Sequence, residues 1–467
     1  MAKDGVSVAG VDRILGSPKG RQGLQLLLEA LEEAQASAPD GVFAPGAPSS
    51  PMRDVLARVG EMRGRGLYFP FLGSGFGKGA RVELVDGAWK YDFICAIGPL
   101  LFGHADPDLV RTAIEAALTG PPMQGHLEPG PAYRALLETL VEVSAPRLAH
   151  AWLATSGTMA NEFACKMIRQ KRAPATKIVA FEGNFSGRST LMQEITDRPG
   201  YREGQPTYGE VLYVPFHDPM NSNSTHRAVD VFKRHLTDHR GEIAALMVEF
   251  VQGEGGLNDA PASFFQALFE VAKDEGVAIW ADEVQTFART GELFAYERLD
   301  LGDWLDVVTI GKVLQGSAVL FTDAMNPKPG LVSATFAGST VGMAVGRRII
   351  NRLRTQGYLG PSGRFAEIER MALRSFAALR DVHCAGAIDG FGAVGTMAWV
   401  RPFGGDSAKV KALVDESYRR GLMLFTCGTR AEKIRMLPPG GVLSDEEWRD
   451  AMTIFAGAVN QVAKETR

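Results

Sequence analysis

The chain has 467 residues and a formal net charge of −4, with 50 Lys and Arg against 54 Asp and Glu. That balance offers no basic surface for nucleic acid and no polybasic anchor for a membrane. A composition of 45% hydrophobic and 22% charged residues is that of an ordinary globular protein, long enough here for at least two domains. No apolar run reaches the length of a transmembrane helix. The stretch MAKDGVSVAGVDRILG lacks the apolar core of a signal peptide. Cys95, Cys165, Cys384 and Cys427 are scattered without a CxxC pair, so neither a disulfide framework nor a zinc site is expected, and the expected compartment is the cytoplasm.

In chain order, residues 1–75 read as an N-terminal arm and linker. GLQLLLEALEEAQ is an amphipathic helix, and QASAPDGVFAPGAPSSP, residues 35–51, is rich in Ala, Pro, Gly and Ser as linkers are. GSGFGKG, residues 73–79, invites a nucleotide-binding reading. It is neither GxGxxG nor GxxxxGK[ST], and it reads better as a flexible loop before the strand ARVELVDG. From residue 150 the pattern becomes regular. AHAWLAT, TKIVAFEG, VLYVPF, IAALMVEFV, VAIWADEV, WLDVVTI and SAVLFTD are strand-like. SGTMANEFACKMIRQ, HRAVDVFKRHLTDH and SFFQALFEVAKDEG are helical and fall between them. Strands alternating with helices, several apolar throughout, predict an α/β fold whose mainly parallel, seven-stranded sheet is covered on both faces. A long helix, VGMAVGRRIINRLRTQG, then leads to a part with its own strands (GAVGTMAWV) and a closing helix. The expected organisation is a large domain over residues 76–345, its first part contributing to a smaller α+β domain, and a small domain over 346–467.

His235 and His239 sit four apart on a helix, a spacing that can bind metal, but KRHLTDHRGE is a charged helix end without an obvious third ligand. No GxSxG elbow is present, and Cys165 falls inside a helix without a local base.

Four stretches fall at strand–helix junctions, where open α/β sheets place ligands. Ser156, Gly157 and Thr158 end a strand and begin a helix, whose free N–H groups suit a phosphate; an ordinary N-cap has the same look. Phe185 and Arg188 lie in the loop FEGNFSGRS, where an aromatic could stack on a flat ring and an arginine could hold a carboxylate; as isolated residues they fit a core plug and a surface loop. Asp282 follows the apolar VAIWA and emerges at the end of a buried strand. A buried Asp needs a cationic partner, such as a protonated pyridine nitrogen, although capping of a turn explains the segment equally well. Lys312 ends the β-branched run Val307–Val308–Thr309–Ile310. A lysine there snorkels, unless a desolvated pocket makes it nucleophilic toward aldehydes. Together, a phosphate cradle, a stacking aromatic, a pyridinium-pairing Asp and a Schiff-base Lys describe one cofactor, pyridoxal 5′-phosphate.

These motifs carry a resemblance. GKGARVELVDGAWKYDF, LLFGHADPDLV, SGTMANE, FEGNFSGRS, VEFVQGEGG, ADEVQTFARTGELFAYE, IGKVLQG, TFAGST and IRMLPP occur in the order found in the class III, fold-type I pyridoxal-phosphate aminotransferases. That group includes the ornithine, acetylornithine, lysine ε- and 4-aminobutyrate enzymes. The resemblance covers most of the chain beyond residue 75 and implies the following roles. Lys312 would bond the cofactor and shuttle a proton, and Asp282 would keep the ring nitrogen protonated. Val284 and Phe185 would pack on the two ring faces, and Gln285 would reach the phenolic oxygen. Ser156, Gly157 and Thr158 would hold the phosphate, joined by Thr335 from the partner subunit of a homodimer. Arg188, Glu249, Glu254 and Arg435 would serve the substrates, with Glu254 and Arg435 as a pair that opens for one substrate and closes for the other.

The sequence departs from the family pattern at Phe250 (usually proline), at Met159 (usually acidic), in a DEVQTFARTG loop one residue short, and in lacking the glycine run after Lys312. TFAGSTVG also replaces the common GGNP. All of these are expected to ring the substrate pocket. The implied reaction moves the terminal amine of a diamino or ω-amino acid to 2-oxoglutarate. A same-fold aminomutase or decarboxylase, and a non-catalytic binding protein, are the alternatives. The QGEGG glutamate and the IRMLPP arginine favour transfer, and an intact Lys312 and Asp282 favour catalysis.

Overall fold

The computed structural model describes residues 10–43, 50–119, 123–384 and 386–465. Residues 44–49 of the linker at 35–51 lie outside the described residues. The chain forms two compact units, one built on Thr112–Gly360 and the other joining Gly16–Arg111 to the segment from Pro361 onward.

The first unit is organised by a seven-stranded sheet of β1 (His150–Ala154), β2 (Lys177–Phe181), β3 (Val211–Val214), β4 (Ile243–Val248), β5 (Ala278–Glu283), β6 (Val307–Ile310) and β7 (Ser317–Phe321). Their order across the sheet is β1-β7-β6-β5-β4-β2-β3. β5 pairs parallel with both β4 and β6, and β2 pairs parallel with both β4 and β3. Only β7 runs against its neighbours. Its direction follows from chain length. The connection from β6 is residues 311–316, whereas a parallel return needs a crossover of about a dozen residues or more. Every residue of β4 and β5 is buried, as expected where helices cover both faces, and each Val, Leu or Ile buried this way contributes about 1.5–3 kcal/mol. One side of the sheet packs Met247, Trp280 and Val319 with Phe163 and Ile168 of the helix Gly157–Arg172 in a single cluster.

In the second unit, Gly73–Lys78 is a strand paired antiparallel with Arg81–Leu84, not the loop expected for GSGFGKG. Backbone pairing overrides the poor strand propensity of glycine, and at position 77 glycine is needed. A Cβ on Gly77 would lie 2.7 Å from the Cβ of His104 and closer still to the carbonyl oxygen of Arg81. Trp89–Asp92 and Leu422–Met423 complete that four-stranded sheet. A second sheet joins Ile388–Val394, Met397–Pro402, Lys433–Met436 and Phe425–Cys427.

Candidate active site

The parallel strands of the first unit deliver their next residues to a cavity of about 210 Å³ at their carboxyl ends. Gly157 and Thr158 arrive after β1, Phe185 after β2, Glu249 and Glu254 after β4, Asp282, Val284 and Gln285 from β5, and Lys312 after β6. These residues, distant in sequence, share one site because a parallel sheet aligns its strand ends.

Ser156 is the N-cap of the helix Gly157–Arg172. Its hydroxyl accepts the Met159 N–H at 3.2 Å, and it stands outside the cavity lining. The cap leaves the first N–H groups at the positive end of the helix dipole facing the cavity, a natural anion site. Glycine is required at the helix start: a Cβ on Gly157 would sit 2.6 Å from a methyl of Val284. Gly187 has φ +126°, and a side chain there would collide with Thr158.

Asp282 is 5% exposed. Its Oδ1 accepts the Val284 N–H at 2.9 Å, and its Oδ2 accepts the Asn161 amide at 2.7 Å. Burial pushes its carboxyl up to about 6, against the pull of those two donors and of Lys312. The Lys312 ammonium donates to Gln285 Oε1 at 2.9 Å. Lys312 has φ +49° and Gln285 lies beside β5, so the short β6–β7 connection turns the lysine back over the neighbouring strand end. Glu249 is buried and accepts the N–H groups of Phe185 at 2.8 Å and Gly253 at 3.1 Å. Burial, then the charge of Asp282, pushes Glu249 up to about 8.

Not every residue singled out by sequence reaches this cavity. Arg188 is exposed, with its guanidinium 4.2 Å from the ring centroid of Tyr201 and 6.0 Å from that of Phe185. Thr335 is exposed and outside the lining. Arg435 belongs to the second unit, fully buried on the strand Lys433–Met436, with its guanidinium 5.0 Å from the ring centroid of Phe425. Phe250, expected beside the substrate, packs edge-on at 5.0 Å against Phe265 in the core, because β4 turns its side chain away from the cavity lining. His235 bonds the Tyr213 carbonyl at 2.9 Å, and His239 lies 3.6 Å from Glu242. Conversely, Asn161, Ser186, Gly187 and Gly253 line the cavity without having been singled out. For Asn161 a signal existed: in SGTMANE it falls one helical turn after Gly157, on the same face.

The donor set fits pyridoxal phosphate. It combines a helix N-terminus opened by glycine, the buried Asp282 carboxyl with Lys312 as the one cationic side chain acting on it among the described residues, and a buried Asn161 Oδ1 at the cavity wall that, among those residues, has no hydrogen-bond partner. The sequence pattern of the aminotransferase class-III family matches residues 74–459. The chain belongs to the class-III aminotransferases. Acetylornithine aminotransferase of Xylella fastidiosa (strain 9a5c) is 28% identical over 407 residues, covering 82% of this chain and 91% of that protein. Diaminobutyrate–2-oxoglutarate aminotransferase of Rhizobium meliloti (strain 1021) is 28% identical over 418 residues, covering 83% and 87%. Among solved structures, lysine aminotransferase from M. tuberculosis aligns with a TM-score of 0.77 at 21% identity, over 87% of this chain and 99% of that one. Ornithine aminotransferase from Toxoplasma gondii ME49 aligns at 0.76 and 23%, over 89% and 96%. The fold is therefore that of fold-type I, and the class-III aminotransferase uses pyridoxal phosphate. Among the described residues, no helix is long and apolar enough to cross a membrane.

Proposed function

We propose that this aminotransferase moves the terminal amine of a diamino or ω-amino acid to 2-oxoglutarate, giving a semialdehyde and glutamate. The observation that carries the reading is Glu254 in the cavity lining, a carboxylate not committed to the ring nitrogen or to the clasp of the surrounding loops. Acidic walls favour a cationic donor over an anionic one. The relatives named for acetylornithine and diaminobutyrate support the same class.

Bound pyridoxal phosphate supplies an electrophilic aldehyde and an electron-withdrawing ring. In this reading Gly157 and Thr158 would receive its phosphate, Phe185 and Val284 would confine its ring, and Gln285 would serve its phenolic oxygen. Asp282 would keep a proton on the ring nitrogen. Lys312 would hold the cofactor at its aldehyde group and, when free of it, would be the base that moves the proton at the substrate carbon. Arg188 is assigned to a substrate carboxylate, which requires it to leave the Tyr201 ring. A panel of amines, scored for bleaching of the cofactor absorbance and for glutamate formation with 2-oxoglutarate, tests the reading. Amine-dependent carbon dioxide release or isomerisation without glutamate would refute it.

Glu254 and Arg435 are assigned to the discrimination between the two substrates. A charged hydrogen bond to a carboxylate is worth about 1.5–3 kcal/mol, so Arg435→Ala is expected to slow the glutamate half-reaction by roughly 10–100-fold while affecting the terminal-amine half-reaction little. Glu254→Ala is expected to shift the ratio the other way. Single-turnover rates for both half-reactions check this; an unchanged ratio in both variants removes the assignment.

The assembly proposed is a homodimer in which Thr335 serves the partner subunit's phosphate site. Mixing inactive Lys312→Ala chains with inactive Thr335→Glu chains is then expected to restore about a quarter of full activity. Half of the dimers would be hybrids with one intact site each. A fully active monomer in sedimentation would exclude the arrangement.

A further inference from the structure

We propose that Glu249 is a positioning residue, whose buried carboxyl clasps the Phe185 loop and the Gly253 loop together and so sets where Phe185 and Gln285 stand in the cavity. The inference rests on the reading of this cavity as the pyridoxal-phosphate site.

Glu249 is the first residue beyond β4, the strand flanked by β2 and β5. The loop after β2 brings the Phe185 N–H to Oε1 at 2.8 Å, and the turn after β4 brings the Gly253 N–H to Oε2 at 3.1 Å. Glu249 is 5% exposed, so removing its carboxyl costs both of these hydrogen bonds at a place where bulk water does not replace it. A single carboxyl with two acceptor oxygens can serve two donors from two loops. Aspartate is a methylene too short to do so, and glutamine offers one oxygen and turns an N–H toward the other donor.

The second clasp continues inward. Gly253 lies against Gln285 so closely that a Cβ there would be 2.8 Å from Gln285 Cγ. Gln285 in turn accepts from the Lys312 ammonium at 2.9 Å. A carboxyl at the root of the cavity therefore governs one aromatic wall directly, and the Gln285–Lys312 pair through a glycine that leaves no slack. Each carboxyl oxygen accepts a backbone N–H, which makes Glu249 part of the wall that frames the cavity. The charged groups facing it are Asp282 and Lys312, and Glu254 lines the same cavity. Burial, then the charge of Asp282, raises the Glu249 carboxyl, while the two backbone donors and Lys312 pull it down.

The test measures cofactor affinity by fluorescence titration of the cofactor-free full chain with pyridoxal phosphate. The variants are Glu249→Gln, Glu249→Ala, Gln285→Ala, Phe185→Leu and the doubles of Glu249→Gln with each of the last two. Glu249→Gln is expected to weaken binding about tenfold, a change of about 1.4 kcal/mol, and Glu249→Ala more. In the doubles the losses should fall short of the product of the single losses by at least about threefold, because the clasp acts through the residues removed. Circular dichroism and thermal melts establish that each variant folds. Glu249→Gln preserves the side-chain volume if Glu249→Ala does not fold. Unchanged affinity in Glu249→Gln, or strictly multiplicative losses in both doubles, overturns the proposal. Failure of the unaltered chain to bind pyridoxal phosphate overturns the cofactor reading instead.

Discussion

Lys312→Ala is expected to lose turnover by at least about 10⁴-fold while still folding and binding cofactor, since it removes both the nucleophile and the proton carrier. The fold should tolerate the change. Lys312 already holds a non-glycine backbone at φ +49°, and alanine keeps the same Cβ, so no new strain enters. The loss includes the charged hydrogen bond to Gln285, about 1.5–3 kcal/mol. Steady-state kinetics with a matched circular dichroism spectrum check this. Borohydride reduction of the native enzyme should fix the cofactor to the peptide containing IGKVLQG and leave the variant unlabelled. Labelling of another lysine would end the assignment.

The strands of the large sheet were readable because their burial on both faces writes itself as runs such as IAALMV and VVTI. Their directions were not in those runs. β7 looks like its neighbours in composition, and only the short connection 311–316 betrays that it turns back. GSGFGKG was misread for the opposite reason. Its place in a sheet depends on the close approach of Arg81 and His104, a tertiary fact with no local strand signal. Lys312 and Asp282 stood out because a charge at the end of an apolar strand demands an explanation. Asn161 did not, since an amide inside a helix is unremarkable until its partner, 121 positions away, is known. Phe250 and Arg188 show the limit of reasoning by motif position. A side chain's neighbours depend on which way the strand end turns, and Phe250 turns into an aromatic cluster with Phe265. Arg188, long enough to choose, rests on Tyr201.

Asp282→Asn separates the chemistry of the site from its stability, and the two are expected to move in opposite directions. Asparagine keeps the shape but cannot hold a proton on a ring nitrogen by charge. Loss of one such electrostatic group in a closed site lowers turnover by about 10²–10³-fold, and cofactor affinity should fall much less. In the cofactor-free protein the same change should be stabilising at neutral pH. The Asp282 carboxyl is raised from its ordinary 3.8 to about 6, chiefly by burial. Between those values the folded protein binds more protons than the unfolded chain, so stability falls as pH rises through the window. Above it the full penalty, about 3 kcal/mol, is present. Asparagine has no such penalty, although its amide would face the Asn161 amide and forfeit about 1 kcal/mol. The net expectation is a variant about 2 kcal/mol more stable at pH 8 than the native chain, with the advantage opening between pH 4 and pH 6 and absent below pH 4. Urea unfolding of both cofactor-free proteins across that range, with single-turnover rates of the loaded enzymes, checks both halves. Near-normal turnover in Asp282→Asn would refute the role of the carboxylate. A stability gap independent of pH would mean that Asp282 is not held against its own desolvation, and that the cavity does not spend stability to keep an anion ready for the ring nitrogen.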